Sequence, residues 1–220
     1  MFLSVFDIFK VGIGPSSSHT MGPMLAAARF LELVSSRTLP PEPLALGCRL
    51  YGSLAYTGEG HGTIRAVLCG LCGMVPASYD RAMADAALAE LAVSETVRLP
   101  NGRQVHLSPH AVTVEKGHRL PAHPNGMTFV LSADEGREVA AESYYSIGGG
   151  FVLTAEEMAA GPLKPSDAGV PYPFDTAAQM LQMGEAAGLS IAAMKRANEI
   201  ADGSGDLDGR LMAIWDLMYR

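Results

Sequence analysis

With 220 residues, 48% of them apolar and 18% charged, the chain can bury one full core and part of another, which excludes a disordered reading. A formal charge of −7 without a lysine-rich run argues against a nucleic-acid partner, and no stretch reaches membrane-spanning length free of Gly, Pro or charge. The opening residues carry no basic n-region or cleavage site, and Cys48, Cys69 and Cys72 are too few for a secreted disulfide framework, so the expected compartment is the cytoplasm.

A short amphipathic helix is expected around Ser4–Phe9. It gives way to Val-Gly-Ile-Gly-Pro-Ser-Ser-Ser-His-Thr-Met-Gly-Pro at 11–23, which leads into a helix predicted over 20–36. Glycines let a backbone approach a ligand closely, and the N–H groups of a first helical turn point at whatever sits there. Ser16, Ser17, Ser18 and Thr20 add hydroxyl donors, and His19 adds a group that titrates near neutrality. The segment therefore suits a small anion. Plain capping by Ser18 or Thr20, with Pro23 in the first turn, is the competing reading, but it uses one hydroxyl. A dinucleotide fingerprint needs glycine where Ser17 stands, and a P-loop needs a Gly-Lys pair; neither fits.

Pro40, Pro41 and Pro43 end the helix, and alternation at Leu44, Leu46, Cys48 and Leu50 predicts a strand through Tyr51 with one buried face. The loop Thr57-Gly58-Glu59-Gly60-His61-Gly62-Thr63 follows, carrying a histidine able to take or give a proton; the competing reading is an exposed turn histidine without a task. Helices are predicted over 63–73 and 79–93. Cys69 and Cys72 share a face of the first, and no second cysteine pair completes a metal site, so they read as buried thiols.

Short β-like runs come next at 96–99, 104–107, 112–115, 127–133 and 138–147. Asn125 has an amide that can donate to a carboxylate and accept from an ammonium, although Asn-Gly is also a turn signal. His106, His110 and His118 show no ligand spacing. The three glycines Gly148–Gly150 indicate a tight turn or close approach that supports a junction between two domains. No Ser-His-acid triad is expected, since adjacency of Ser18 and His19 does not aim one side chain at the other. Together these elements predict an α/β (α+β) fold, a mixed sheet with helices packed on one face. Residues 161–165 and 169–173 read as linker. Three helices are predicted at 175–187, 190–202 and 207–219, with Asp175 and Ser190 as N-caps and Gly188 and Gly203 as stops. The last holds Ile214, Trp215, Leu217 and Met218 close together and calls for a partner surface.

The 11–23 run resembles the opening of the iron–sulfur L-serine dehydratases. Tyr51-Gly52-Ser53-Leu54 leading to Gly58–Thr63, then His123–Met127, Tyr144–Phe151 and Pro171–Phe174 support the resemblance along the chain. It implies a β domain at 1–155, similar to the allosteric substrate-binding domain of phosphoglycerate dehydrogenase, a linker at 156–174, and the first helices of an incomplete all-α catalytic domain at 175–220. It implies L-serine as substrate, losing water by β-elimination to give pyruvate and ammonia, and a [4Fe-4S] cluster as Lewis acid whose cysteine ligands lie beyond residue 220, with no metal ligand in this chain. His61, with His19, is then the candidate base, and Ser16, Ser17, Ser18, Thr20, Thr63 and Asn125 are candidate substrate-binding residues. The carboxylate held there is either the substrate's or that of serine bound as an effector, in which case the chain is a regulatory module. The remaining catalytic α domain or subunit is the implied partner, within a homodimer, and the 220 residues alone are expected to be inactive. Ile64 departs from the family, where an acid often follows the threonine.

Overall fold

The computed structural model describes residues 3–160, 169–203 and 205–219. The chain forms two compact units, Gly12–Gly161 and a second that joins Met1–Val11 to Pro162–Arg220. The stretch 161–165 read as linker lies outside the described residues.

The first unit is built on a seven-stranded mixed sheet. Its strands are β1 (Ala45–Tyr51), β2 (Thr96–Arg98), β3 (Gln104–His106), β4 (Val112–Glu115), β5 (Gly126–Ser132), β6 (Glu138–Gly148) and β7 (Phe151–Thr154), ordered β2-β3-β1-β5-β6-β7 with β4 also on β1. β1 runs antiparallel to β5 and parallel to β4, with Cys48 opposite Val112 and Tyr51 opposite Glu115. The predicted alternation holds, because Leu46, Cys48 and Leu50 are buried while Arg49 is exposed.

That buried face packs on α2 (Gly22–Ser35) and α4 (Thr63–Leu71), which place Phe30, Leu31, Val34, Val67 and Leu71 in the same core as Met127, Phe129 and Leu131. Phe30 stacks on Phe129 at 5.5 Å, and Tyr144 meets Phe129 edge-on at 5.9 Å. Each such side chain withdrawn from water contributes roughly 1.5–3 kcal/mol. The two helices touch closely at Gly70, where a Cβ would lie 2.4 Å from the Met24 carbonyl oxygen and 2.6 Å from Ala27 Cβ. α5 (Arg81–Ser94), capped by Asp80, contributes Ala84 to a smaller cluster with Met24, Ala66 and Cys69.

The structure differs from expectation in three places. The open loop expected after β1 begins with α3 (Gly52–Thr57), a helix too short to show a period, held by burial of Leu54 and Ala55. Gly148, Gly149 and Gly150 all take positive φ and close the β6–β7 hairpin, so their task is a turn inside the sheet. Beyond β7, Thr154 and Glu157 form a capping box that starts α6 (Ala155–Ala159).

The second unit holds α1 (Val5–Ile8), α7 (Ala177–Ala187), α8 (Ile191–Ala201) and α9 (Leu207–Tyr219), with α1 meeting α8 and α9. The buried Glu199 carboxylate accepts from Ser4 Oγ at 2.8 Å and the Val5 N–H at 2.6 Å, and the Arg210 guanidinium sits 3.5 Å above the Phe6 ring. Ser190 caps α8 and Gly188 ends α7 in the left-handed region as expected, whereas Thr176, not Asp175, caps α7. Ile191, Trp215, Leu217 and Met218 are exposed. No helix among the described residues is long and apolar enough to cross a membrane.

Candidate functional site

The Gly/Ser segment enters α2 through a wide turn of π type, Ser17–Met21. Ser16 is its cap, where the competing capping reading puts Ser18 or Thr20: Ser16 Oγ accepts from the His19 N–H at 3.1 Å, while its carbonyl accepts from the Thr20 and Met21 N–H groups. Among the described residues the N–H groups of Ser17 and Ser18 have no acceptor, and Ser17 is exposed. Two backbone donors and an exposed hydroxyl thus stand at the start of a helix, as anion binding requires.

Contrary to expectation, Ser18 and His19 do meet, with Ser18 Oγ 2.9 Å from His19 Nδ1. The wide turn swings the His19 ring back toward its neighbour. The other ring nitrogen, Nε2, lies 3.0 Å from Ser53 Oγ, so an alcohol occupies the place that an acid takes in a triad.

His61 ends a 3₁₀ turn, Glu59–His61, and Gly62 then takes a left-handed conformation that starts α4. His61 Nδ1 lies 2.9 Å from the Thr57 carbonyl oxygen. A carbonyl only accepts, so Nδ1 carries the hydrogen and Nε2 of the neutral ring is a lone pair. Among the described residues Nε2 has no hydrogen-bond partner.

Two threonines brace the pair of histidines. Thr20 Oγ1 donates to the His61 carbonyl at 2.9 Å, and Thr63 Oγ1 donates to the His19 carbonyl at 2.6 Å. Both are buried, and their protons are committed to backbone. The two imidazole centroids are 4.9 Å apart at 37°. Burial, with the neighbouring His61 adding to it, lowers the His19 pKa below the ordinary imidazole value, so its neutral form is favoured.

His61 and Thr20 line a cavity of about 200 Å³ together with Gly14, Pro15, Arg65, Cys69 and Tyr79. A broader cleft of about 570 Å³ adjoins it, sharing Arg65 and Tyr79 and adding Arg81 and Asp85. Arg65 Nη2 donates to Asp85 Oδ1 at 2.5 Å. Asn125 stands elsewhere: its Nδ2 donates to the Ser146 carbonyl at 3.0 Å, and the Ser146 N–H returns a bond to the Asn125 carbonyl. Asn125 therefore ties the loop before β5 to β6. Ile64 packs against the main core.

The cysteines do not assemble. Cys48 lies in the β1 core and Cys69 in the α2–α4–α5 cluster, while Cys72 closes α4. Burial pushes all three thiols up, Cys72 to about 11, which disfavours the thiolate a metal needs. Among the described residues no group of three or more His, Cys, Asp or Glu is placed to hold a metal ion. This donor set does not fit an iron–sulfur cluster.

Sequence reading missed Ser53 and Thr57. Their only signal was the i, i+4 spacing of two hydroxyls in a segment without visible helical period.

Residues 4–157 match the sequence profile of the family described as serine dehydratase beta chain. The L-serine dehydratase of Streptomyces coelicolor is 38% identical over 220 residues, covering 99% of this chain and 48% of that protein. The L-serine dehydratase of Mycobacterium tuberculosis is 39% identical over 199 residues, 90% of this chain and 43% of the relative. L-serine dehydratase 2 of Escherichia coli is 34% identical over 218 residues, 98% of this chain and 47% of the relative. The chain spans about half the length of the curated relatives it matches.

Proposed function

This chain belongs to the serine dehydratase beta chain family, and on that premise we propose that it supplies one half of an L-serine dehydratase, bringing the proton-transfer and carboxylate-holding groups. In the reaction the Cα proton passes to a base, hydroxide leaves from Cβ, and the resulting enamine rearranges and hydrolyses to pyruvate and ammonia. One observation carries the reading: His61 presents an unpartnered Nε2 lone pair, oriented by the Thr57 carbonyl, in a ring that lines a cavity of about 200 Å³. That is the arrangement of a positioned general base beside room for a small substrate.

His19 supports it from 4.9 Å away. Held neutral in the free protein, it gains a proton more readily once a carboxylate arrives, because an adjacent negative charge favours the imidazolium. The free N–H groups of Ser17 and Ser18 and the exposed Ser17 hydroxyl hold that carboxylate, while the Ser16 and Ser18 hydroxyls, already in contact with the His19 N–H and ring, shape the turn around it. Thr20, Thr63 and Asn125 act through position, since their donors already serve the backbone. The cysteines described above do not fit a [4Fe-4S] cluster, and no step is assigned to one among these residues.

The same proposal carries the wider organisation: a β domain at 1–155, from which the first eleven residues depart to join the helical unit, akin to the small-molecule-binding domain of phosphoglycerate dehydrogenases, a linker at 156–174 that opens with the end of α6, and helices from 175 onward that join a catalytic α domain in a cytoplasmic homodimer. Exposed Ile191, Trp215, Leu217 and Met218, and relatives about twice as long, support a helical partner for that last segment.

The test is His61→Asn in the complete enzyme. Turnover should fall on the order of 10²–10⁴-fold while L-serine still binds. Normal turnover would refute the reading, and a change confined to activation by serine would replace it with the regulatory one.

A further inference from the structure

We infer that Thr20 and Thr63 are paired positioning residues: they close a ring that locks the two histidine turns into one unit, each threonine gripping the histidine of the opposite turn. Thr20 sits beside His19 and donates to the His61 carbonyl at 2.9 Å, while Thr63, just past His61, donates to the His19 carbonyl at 2.6 Å. A carbonyl only accepts, so both directions are fixed. The path from His19 through Thr20 to His61, and on through Gly62 and Thr63 back to His19, thus returns to its start across two hydrogen bonds, and both threonines in it are buried.

Each carbonyl takes a hydroxyl because the helical ladder passes it by. In an α-helix the N–H of residue 23 would reach the His19 carbonyl, but residue 23 is Pro, which has none. After His61 the backbone turns left-handed at Gly62, and the N–H groups of Thr63 and Ala66 go to the Gly58 and Gly62 carbonyls. The two threonines supply the donors that the turns do not. Gly58 keeps the space for this: its φ of −62° suits any residue, but a Cβ there would lie 2.9 Å from Thr63 Oγ1 and 2.2 Å from the Leu54 carbonyl oxygen.

Closure makes the two bonds depend on each other. While one holds, the second carbonyl stays within reach of its hydroxyl; once either breaks, the π-type turn and the 3₁₀ turn are free to part, and the imidazole pair loses its 4.9 Å spacing. The consequence for turnover rests on the proposed dehydratase reading; the coupling does not.

The experiment is a double-variant cycle on the 220-residue chain in urea, with Thr20→Val and Thr63→Val, which keep side-chain shape and replace the hydroxyl by a methyl. Each should lower the unfolding midpoint, and the double variant should fall no further than the lower of the two. Thr20→Ser and Thr63→Ser keep the donor and should stay close to wild type. A valine variant that unfolds at the wild-type midpoint, losses that add, or a serine variant that falls as far as valine would overturn the inference. In the complete enzyme each valine variant should lower kcat for L-serine about 10- to 100-fold with KM little changed, the double again no worse than the lower single, and serine should restore it. An unchanged kcat would remove the positioning role. Because the urea cycle needs no turnover, a failed dehydratase reading leaves the coupling to stand or fall on its own.

Discussion

Imidazole chemistry at this site is decided by what each ring nitrogen faces. His61 meets a carbonyl on one side and space on the other, whereas His19 meets hydroxyls on both. Hydroxyls accept as readily as they donate, so His19 can hold a second proton without leaving a buried donor unpaired. Its pKa is nonetheless lowered, first by burial and then by His61. His61→Asn should therefore raise the His19 titration midpoint part of the way back, the burial penalty remaining, as an NMR titration would read. The sign for stability follows. Above the ordinary imidazole range the ring is neutral in folded and unfolded chains alike and contributes nothing. As pH falls from that range toward the depressed folded value, the unfolded chain binds the proton first and stability declines. Both histidines and the serine run were legible from residue type and spacing. The Ser18–His19 bond was not, because neighbours in sequence meet only in an unusual turn, and the π-type turn at 17–21 leaves no mark on composition.

At the scale of elements, two close approaches fix the geometry. Gly52 takes φ +53°, and a Cβ there would lie 2.2 Å from the Pro124 carbonyl oxygen. Gly52→Ala should cost about 1–3 kcal/mol in denaturant unfolding and shift α3, on which Ser53 and Thr57 stand. Gly70→Ala pushes a methyl against the backbone of α2 and should cost about 1–3 kcal/mol, read the same way. The long elements were readable because their apolar periods run for several turns: β1, β5, α2 and α5 all appear where alternation or helical spacing put them. α3 was hidden, since six residues cannot display a period and Gly-Ser-Leu-Ala-Tyr-Thr reads equally well as a loop. The missed element is the one that orients the site.

Over the whole molecule, the first residues of the chain belong with its last helices. Glu199 secures them. Burial raises its pKa, but the Val5 N–H, the Ser4 hydroxyl and Lys195 outweigh burial and hold the carboxyl below its ordinary value. Its ionisation therefore stabilises the fold above the ordinary carboxylate range, and that contribution is lost as pH falls through the depressed value. Glu199→Gln should lower stability by about 1–2 kcal/mol near neutrality and flatten the acid limb of a plot of urea midpoint against pH. No local pattern in sequence linked Ser4 to a glutamate near residue 200, because only the folded chain brings them together. The family, by contrast, was legible from motifs spread over the chain's length, from the Gly/Ser run at 11–23 to Pro171–Phe174.

The central claim is that His61 takes the Cα proton of L-serine, and chemical rescue tests it most directly. In the complete enzyme His61→Ala should lose turnover, and added imidazole should restore pyruvate formation in proportion to its concentration, because a free base can enter the vacated space. Turnover by His61→Ala at the wild-type rate without imidazole would contradict the account.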